Sequence, residues 1–138
     1  MSDLFKSSRK CYLIDHHSPQ PPVIPLNHLD IQEYEDFIDT ADVDSMMVYC
    51  KDHWGVTYYD SQTPGAQKHN GVKGDWIASV SNLLKRKKIE FVAYYCIEYD
   101  EGAARMQPQW RVRRPDGSSL IRNDAYAKWH LCCYQTGY

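Results

Sequence analysis

Apolar and polar residues follow one another along the chain in blocks that predict strands and helices in turn. Three short apolar runs, "KCYLID" (10–15), "DSMMVYC" (44–50) and "IEFVAYYCI" (89–97), predict β-strands. Between them, "DIQEYEDFIDTA" (30–41) and "DWIASVSNLLKRKK" (75–88) place apolar residues at helical spacing behind an aspartate that can cap a helix. The second and third runs lack alternation, which is typical of strands buried on both faces of a parallel sheet. This order predicts an α/β fold with a parallel βαβαβ core.

The segments between these elements predict loops. A proline-rich loop (18–25) follows the first strand, and a glycine-containing loop covers 52–74. A long loop after the third strand contains a hairpin with the turn "PDG" (115–117). Residues 1–10 are expected to be a disordered tail, and the 138 residues together form one domain. The basic run at 85–88 suits the negative end of the second helix, which is a sufficient structural explanation for it.

Composition narrows the classes of partner. The formal net charge of -2 gives no basic surface for nucleic acid, and no apolar run is long enough to cross a membrane. The five cysteines include no CxxC pair and no secretory signal precedes them, so they predict reduced thiols in a cytoplasmic protein. Cys11, Cys50 and Cys96 fall in or at the ends of strands and are expected to pack in the core. No cofactor is expected. Eleven tyrosines and four tryptophans suit a surface that meets sugars, but composition alone favours the simpler explanation that these rings are half-buried or lie at interfaces.

Polar residues follow each predicted strand at its carboxyl end. Because these ends meet at one edge of a parallel sheet, they predict a shared polar mouth where a ligand binds. The residues that this pattern places there are Asp15, His16 and His17 after the first strand, Lys51, Asp52, His53 and Trp54 after the second, and Glu98, Tyr99, Asp100 and Glu101 after the third.

Each cluster also has a simpler or competing explanation. Asp15, His16 and His17 could ligate a metal, but neighbours on an extended chain face opposite sides, so a metal is the less favoured alternative. The Asp-His-His phosphoesterases need a further Asp-x-Asp-Gly motif that this chain lacks. His53 and Trp54 suit a hydroxyl donor and a stacking surface for a sugar, or else a loop histidine and an apolar plug.

The acidic residues after the third strand are likewise open to two interpretations. As functional groups, Glu98, Asp100 and Glu101 would serve as a general acid, a base or hydroxyl acceptors. As structural groups, they would cap a helix or pair with Arg105 and Arg111.

Three stretches together resemble the N-terminal part of a group of (β/α)8-barrel proteins called hypothetical glycosyl hydrolases, which are related in pattern to alpha-L-fucosidases. They are "VDSMMVYCKDHWGVTYY" (43–59), "VAYYCIEYDEGAARMQPQWRVRRPDG" (92–117) and "HLCCYQTGY" (130–138). Lys51 to Gly55 matches the place of a Lys-His-His-Asp-Gly-Phe-like motif that contacts the sugar in fucosidases, and Tyr94 to Cys96 with Trp110 loosely matches a Tyr-Tyr-Ser…Trp pattern.

The resemblance implies a partial TIM barrel, of which this chain carries the first three strands. It implies carbohydrate as the partner and a substrate-binding mouth formed by His16, His17, Lys51, His53, Trp54, Glu98 and Asp100. In the fucosidase pattern the nucleophilic aspartate follows the fourth strand, so the nucleophile is expected beyond residue 138. A complete barrel has about 250 residues. An incomplete one exposes a sheet edge that favours self-association.

Three functions follow as hypotheses. The first is a glycoside-hydrolase-like fragment whose parent activity is fucosidase-like, retaining hydrolysis of O-glycosidic bonds, with this chain itself inactive. The second is a non-catalytic carbohydrate-binding or interaction module. The third and weakest is a metal-dependent hydrolase built on Asp15, His16, His17 and His53.

Overall fold

The computed structural model describes residues 10–17, 19, 23–123 and 128–133. The elements in chain order are β1 (Cys11–Leu13), α1 (Ile31–Ala41), β2 (Ser45–Lys51), β3 (Val56–Thr57), β4 (Gln67–Lys68), α2 (Trp76–Lys87), β5 (Glu90–Tyr95), α3 (Glu101–Met106), a 3-10 turn (Pro108–Trp110), β6 (Ile121–Asn123) and β7 (Lys128–His130). Of the predicted tail only Lys10 is described, and its ammonium group pairs with Asp42. Within these residues, none of the helices combines the length and the apolar character needed to span a bilayer.

β2 is the central strand of the main sheet. β1 pairs with it in parallel on one side and β5 in parallel on the other, so that Met46 lies between Tyr12 and Phe91. The mixed α/β fold with its parallel strands is therefore confirmed. β3 extends the sheet by an antiparallel pairing of Thr57 with Lys51, and β4 runs parallel to β3. Two short strands thus occupy the interval that the sequence predicts as a simple loop.

Both long helices begin as the sequence predicts. The Asp30 side chain accepts a hydrogen bond from the backbone N–H of Gln32 at 2.9 Å, and Asp75 accepts one from Ala78 at 2.8 Å. These bonds satisfy backbone donors that have no partner inside the helix. The basic run at the end of α2 has a second role besides the helix dipole, because it forms ion pairs with α1. The pairs are Arg86 and Lys87 with Glu35, and Lys87 with Asp39.

The core lies between the two helices and one face of the sheet. Met46 and Val48 of β2 are buried there against α2, in which Val80 and Leu84 are fully enclosed. Aromatic rings extend the core toward the carboxyl ends of the strands, where Tyr34 of α1 packs edge to face on Trp76. Other buried members of this core are Ile38, Tyr49, Tyr58, Val72 and Leu83.

On the other face of the sheet, no helix among the described residues covers the apolar side chains. The register places Leu13, Met47 and Val92 side by side, and side chains at paired positions share a face. Leu13 is 41% exposed, and Cys11, two residues earlier on the same face, is also exposed. The expectation that Cys11 packs in the core is therefore wrong. Cys50 is buried as expected, and Cys96 is half-buried.

The segment after β5 is more ordered than the predicted loop. Asp100 caps α3, a six-residue helix, by accepting a hydrogen bond from the Ala103 N–H at 2.8 Å. The predicted hairpin turn is present, with Arg113 bridged to Ser119 and Gly117 at a φ of 83°. Residues 121–123 then pair with β7 instead of continuing that hairpin.

Shortening Val80, which is fully buried in α2, tests this core. Val80→Ala is expected to lower the free energy of unfolding by about 2 kcal/mol, because it removes packed methyl groups and leaves a cavity. Val23→Ala, at a position 58% exposed, is the matched control and should cost less than about 0.5 kcal/mol. Urea unfolding of both variants measures the difference, and equal losses would contradict the assignment of Val80 to the core.

Candidate functional site

The carboxyl ends of β1 and β2 bring three histidines close together. His17 and His53 stack with ring centroids 5.2 Å apart, and His16 packs 5.9 Å from the Tyr49 ring. We call these three histidines, with Asp15 and Tyr49, the imidazole cluster. Its members come from the ends of two strands, whereas the mouth predicted from the sequence joins the ends of three.

Within this cluster, Asp15 holds His17. Asp15 Oδ1 lies 2.5 Å from His17 Nδ1 and 3.0 Å from the His17 backbone nitrogen, and the Tyr49 hydroxyl donates to the same oxygen at 2.8 Å. Burial acts to raise the pKa of Asp15, but the hydrogen bonds from Tyr49 and His17 outweigh it and leave the pKa below its ordinary value. Asp15 is therefore a carboxylate at neutral pH.

The two adjacent histidines, His16 and His17, have different environments. His16 is only 6% exposed, lies among tyrosine rings, and places Nε2 2.8 Å from the Tyr34 hydroxyl. Burial lowers the pKa of His16, so its ring is neutral at pH 7. His17 is exposed. Of the two, His17 is the one a ligand can reach directly, and His16 lies in the aromatic core.

His53 and Trp54 form a packed layer on the loop after β2. The His53 ring lies 4.9 Å from Trp54 and 4.8 Å from Trp129 of β7. The loop is fixed to α3 because the carbonyls of His53 and Trp54 accept hydrogen bonds from Glu101 and Gly102 at 3.2 and 3.0 Å. Trp54 is 7% exposed, so it lines a cavity instead of projecting into solvent.

Gly55 makes the close approach of this loop to α3 possible. Its φ is 78°, and a Cβ built there would lie 2.1 Å from the Asp100 carboxylate. Only glycine fits both the left-handed backbone and the space available.

Asp52 is the buried acid that holds the same loop. It is completely buried and accepts hydrogen bonds from the Trp54 N–H at 2.9 Å, the Val56 N–H at 3.3 Å and the Tyr58 hydroxyl at 3.1 Å. Burial raises the pKa of Asp52 to about 6, against the opposing effect of these hydrogen bonds. The Asp52 carboxyl group is therefore enclosed by its own loop, where it positions His53 and Trp54, and it is not accessible to a ligand.

Lys51 and Asp100 form a buried ion pair, apart from the imidazole cluster. Their side chains are 7% and 4% exposed, and the Lys51 ammonium also lies 4.8 Å from the centre of the Tyr95 ring. Asp100 caps α3 at the same time. For Asp100, the simpler explanation, capping and pairing, is what the structure shows.

Glu101 has a similar structural role. It binds Arg105 Nε at 2.8 Å and both the backbone nitrogen and Nδ1 of His130 at 2.8 and 2.9 Å. Burial acts to raise the pKa of Glu101, but these hydrogen bonds outweigh it and leave the pKa below its ordinary value. The predicted partner Arg105 is confirmed. Arg111 instead donates to the Ala104 carbonyl at 2.7 Å.

Glu98 stands apart from both groups. Its side chain is exposed, and its backbone carbonyl accepts a hydrogen bond from the Cys132 N–H at 2.9 Å. Glu98 is thus the one acidic residue of this segment that the described contacts leave accessible to a ligand.

Three cavities lie around the loop after β2. One, of about 280 Å³, is bounded by Trp54, Gly55, Glu101 and Arg105. A second, also about 280 Å³, is bounded by the Lys51–Asp100 pair with Tyr95, Trp110 and a segment at 61–66. The third, of about 760 Å³, is wider and lies between Trp54, Arg105 and the segments around Val23 and His69.

The predicted site residues therefore divide by environment. Trp54, Lys51 and Asp100 line cavities, His17 is exposed, and His16 and His53 are both buried, each only 6% exposed. In the part of the chain that the structure describes, no group of three or more His, Cys, Asp or Glu side chains is arranged to hold a metal ion. The metal-dependent alternative thus has no ligand set among these residues.

Two contributors, Tyr49 and Trp129, were missed from the sequence alone, and Asp52, which the sequence placed in the predicted mouth, is buried. Tyr49 sits two residues before the end of β2, where alternation would have turned it toward Asp15. Asp52 lies within the stretch from Lys51 to Gly55, but the sequence does not distinguish a buried carboxylate from an exposed one, because burial depends on tertiary contacts. Trp129 reaches His53 only through the pairing of β6 and β7, which no local pattern signals.

The chain has a hydrolase-like α/β fold of the glycosyl-hydrolase type. Its histidines and indoles lie at the carboxyl edge of the parallel sheet. The chain belongs to the family described as hypothetical glycosyl hydrolase 6, which matches residues 30–138. The resemblance to glycosyl hydrolases seen in the sequence is confirmed. No curated protein sequence matches the chain significantly.

Two solved structures share the fold. Alpha-L-fucosidase isoenzyme 2 from Paenibacillus thiaminolyticus aligns with a TM-score of 0.72 and 17% identity, over 90% of this chain and 19% of its own. A hypothetical protein from Ruminiclostridium thermocellum aligns with a TM-score of 0.57 and 21% identity, over 72% of this chain and 53% of its own. The chain thus spans less than two thirds of either structure, and likeness at this level of identity shows the fold alone.

The buried Asp52 predicts a distinct pH dependence of stability. The folded protein holds a proton on Asp52 up to about pH 6, whereas the unfolded chain releases it near the ordinary value of 3.8. Ionisation of Asp52 therefore lowers stability as pH rises from about 4 to about 6, by on the order of 2–3 kcal/mol. Asp52→Asn keeps the acceptor oxygen and removes the titration, so the variant should lack this decrease.

Urea unfolding of both proteins at pH 4.5 and pH 7 measures the effect. The change in unfolding free energy between the two pH values is compared for the wild type and the variant. Their difference removes the contributions of Asp15 and Glu101, which have the opposite sign because the pKa values of these two groups are lowered. The same pH slope in both proteins would contradict the assignment.

The Lys51–Asp100 pair gives a second test. Lys51→Met leaves the Asp100 charge buried without its cation and is expected to cost about 3–5 kcal/mol. In the double variant Lys51→Met/Asp100→Asn neither position of the pair carries a charge and the asparagine can still cap α3, so most of that loss should be recovered. Lys68→Met, which breaks the more exposed pair with Asp60, is the control and should cost under about 1 kcal/mol. A double variant no more stable than Lys51→Met would show that the buried charge is not the cause.

Proposed function

We propose that this chain supplies part of the carbohydrate-binding mouth of a glycoside-hydrolase-like (β/α)8 barrel. In this proposal the three parallel strands are the first strands of the barrel, and the residues at their carboxyl ends contact the sugar. The observation that carries it is the stacked pair of His17 and His53, from two strand ends in a chain of a glycosyl hydrolase family. Imidazole nitrogens donate and accept hydrogen bonds, as the hydroxyls of a sugar require.

The indoles beside this pair support carbohydrate as the ligand. Trp54 and Trp129 pack 5.6 Å apart and adjoin His53, which places apolar rings next to hydrogen-bonding nitrogens beside the cavity that Trp54 lines. Sugar rings combine an apolar face with a polar edge, and aromatic rings beside polar groups suit both. Glu98, exposed after β5, is a further hydroxyl acceptor in this proposal.

For the whole barrel we propose hydrolysis of O-glycosidic bonds, fucosidase-like and retaining, with the nucleophile supplied from outside these 138 residues. The fucosidase neighbour supports this proposal through its fold, of which this chain matches 19%. The structural roles of the buried acids also support a nucleophile from outside these 138 residues. Asp52, Asp100 and Glu101 are committed to the loop, the helix cap and ion pairs, whereas retaining hydrolysis needs two carboxyl groups about 5 Å apart across the bond.

The same observation favours a second candidate, a carbohydrate-binding module without catalysis. Because Asp52, Asp100 and Glu101 are used structurally, no pair of these carboxyl groups is left for catalysis, and the surface would bind a sugar without cleaving it. An aryl-glycoside screen of this chain together with the part of the barrel that supplies the nucleophile separates the two candidates, since release of the aryl group supports hydrolysis and binding without release supports the module.

Substitution of His17 tests the mouth directly. His17→Ala is expected to weaken binding of a glycoside about 5- to 10-fold, because it removes one hydrogen bond of about 1 kcal/mol from an exposed position without disturbing the core. His28→Ala, at an exposed histidine in the turn before α1, is the matched control and should bind as the wild type does. Titration calorimetry with methyl glycosides of both anomers, including L-fucose, provides the affinities. Binding that is absent from the wild type, or equal in the two variants, would refute the proposed mouth.

We also propose that the isolated chain self-associates through its uncovered sheet face. Leu13, Met47 and Val92 form an apolar strip there, and β1 is an edge strand with free backbone groups among the described residues. A second copy is the occupant expected when the chain is alone. Light scattering of the wild type should show a mass above 16.1 kDa that falls toward it in Leu13→Lys. A monomeric wild type would rule the contact out.

A further inference from the structure

We propose that Asp15 is a positioning residue, which fixes His17 with its proton on Nδ1 and leaves Nε2 as an acceptor for a ligand hydroxyl. This inference rests on the proposed carbohydrate mouth for the nature of the ligand. The position of the proton follows from contacts within the chain and can be tested without a ligand.

The distances determine where the proton lies. His17 Nδ1 is 2.5 Å from Asp15 Oδ1, and two lone pairs at that separation would repel each other strongly. Because Asp15 is ionised and accepts only, the hydrogen between the two atoms belongs to Nδ1. In a neutral imidazole the other nitrogen, Nε2, then carries a lone pair.

The carboxylate that imposes this arrangement is itself held in place. The His17 N–H at 3.0 Å and the Tyr49 hydroxyl at 2.8 Å donate to the same oxygen, Oδ1. Tyr49 is 2% exposed and its ring stacks on Tyr94 with centroids 4.1 Å apart. The end of β1 is therefore tied to β2 through Tyr49 and, through the stack of Tyr49 on Tyr94, to β5, so the orientation of His17 is anchored in the sheet.

The free nitrogen of His17 is accessible. The His17 side chain is 62% exposed, and within the described part of the chain its Nε2 makes no hydrogen bond. Stacking on His53 restricts rotation of the ring about its Cβ–Cγ bond. A fixed, exposed acceptor suits a ligand group that donates, and a sugar hydroxyl is such a group.

Nitrogen-15 NMR of the histidine rings tests this assignment. Ring nitrogen shifts distinguish the two tautomers, and the measurement is made near pH 8.5, well above the ordinary imidazole pKa of about 6.5. In the wild type, His17 is expected in the Nδ1–H form. In Asp15→Ala it is expected to change to a mixture dominated by Nε2–H, whereas Asp60→Ala, at an exposed aspartate paired with Lys68, should leave the His17 shifts unchanged.

Several outcomes would overturn the inference. These are a wild-type His17 in the Nε2–H form, a ring still protonated on both nitrogens at pH 8.5, or a tautomer unaffected by Asp15→Ala. The wild-type spectrum decides the main point by itself, so the test does not depend on the variant folding.

A glycoside titration separates this inference from the proposed function. If the wild type shows the Nδ1–H form but binds no glycoside, the mouth is refuted and the positioning stands. If a glycoside binds and Asp15→Ala binds it at least 5-fold more weakly, both stand. If Asp15→Ala binds it as tightly as the wild type does, positioning by Asp15 has no part in recognition and that half of the inference fails.

Discussion

The turn that leaves β2 is held by two buried carboxylates, and the site depends on them. Asp52 accepts hydrogen bonds from the backbone N–H groups of Trp54 and Val56, which reverses the chain directly after the strand. Asp100 approaches from the next strand, pairs with Lys51 and starts α3. Burying charge in this way is unfavourable unless every group finds a partner, so the contacts fix one geometry. His53 and Trp54 take their places from this arrangement.

The two acids also explain why the polar strand ends do not form one open mouth. Asp100 and Lys51 satisfy each other away from the histidines, beside a cavity bounded by Tyr95 and Trp110. Asp15, His17 and His53 lie together at the ends of β1 and β2. The edge of the sheet is thus divided into an ionic region, which stabilises the fold, and an imidazole region, which remains accessible at His17. Charge at a strand end is not by itself evidence of contact with a ligand.

The pattern of residues predicted the helices and the main strands well, because the interactions that form them join residues close together in the sequence. The starts of α1 and α2, capped by Asp30 and Asp75, were predicted because a cap and an apolar stripe are both encoded within a few residues. The parallel order followed from the unbroken apolar run of β2, which is buried between two strands. The helix at 101–106 was missed because its cap, Asp100, was interpreted as a ligand-binding acid. The sequence could not predict that His16 is buried and His17 exposed, because the burial of His16 against Tyr34 is a tertiary contact between distant segments.

The uncovered sheet face has a consequence for the chemistry of the thiols. Of the five free cysteines, Cys11 alone is exposed, while Cys50 and Cys132 are buried and Cys96 and Cys133 are half-buried. Burial raises the pKa of the Cys50 and Cys132 thiols to about 11, which suppresses the reactive thiolate at those positions. A thiol-specific label should therefore enter first at Cys11, on the face that carries Leu13 and Met47. The sheet thus contains its own reporter, since whatever covers that face in a larger assembly would slow the labelling of one identifiable sulfur.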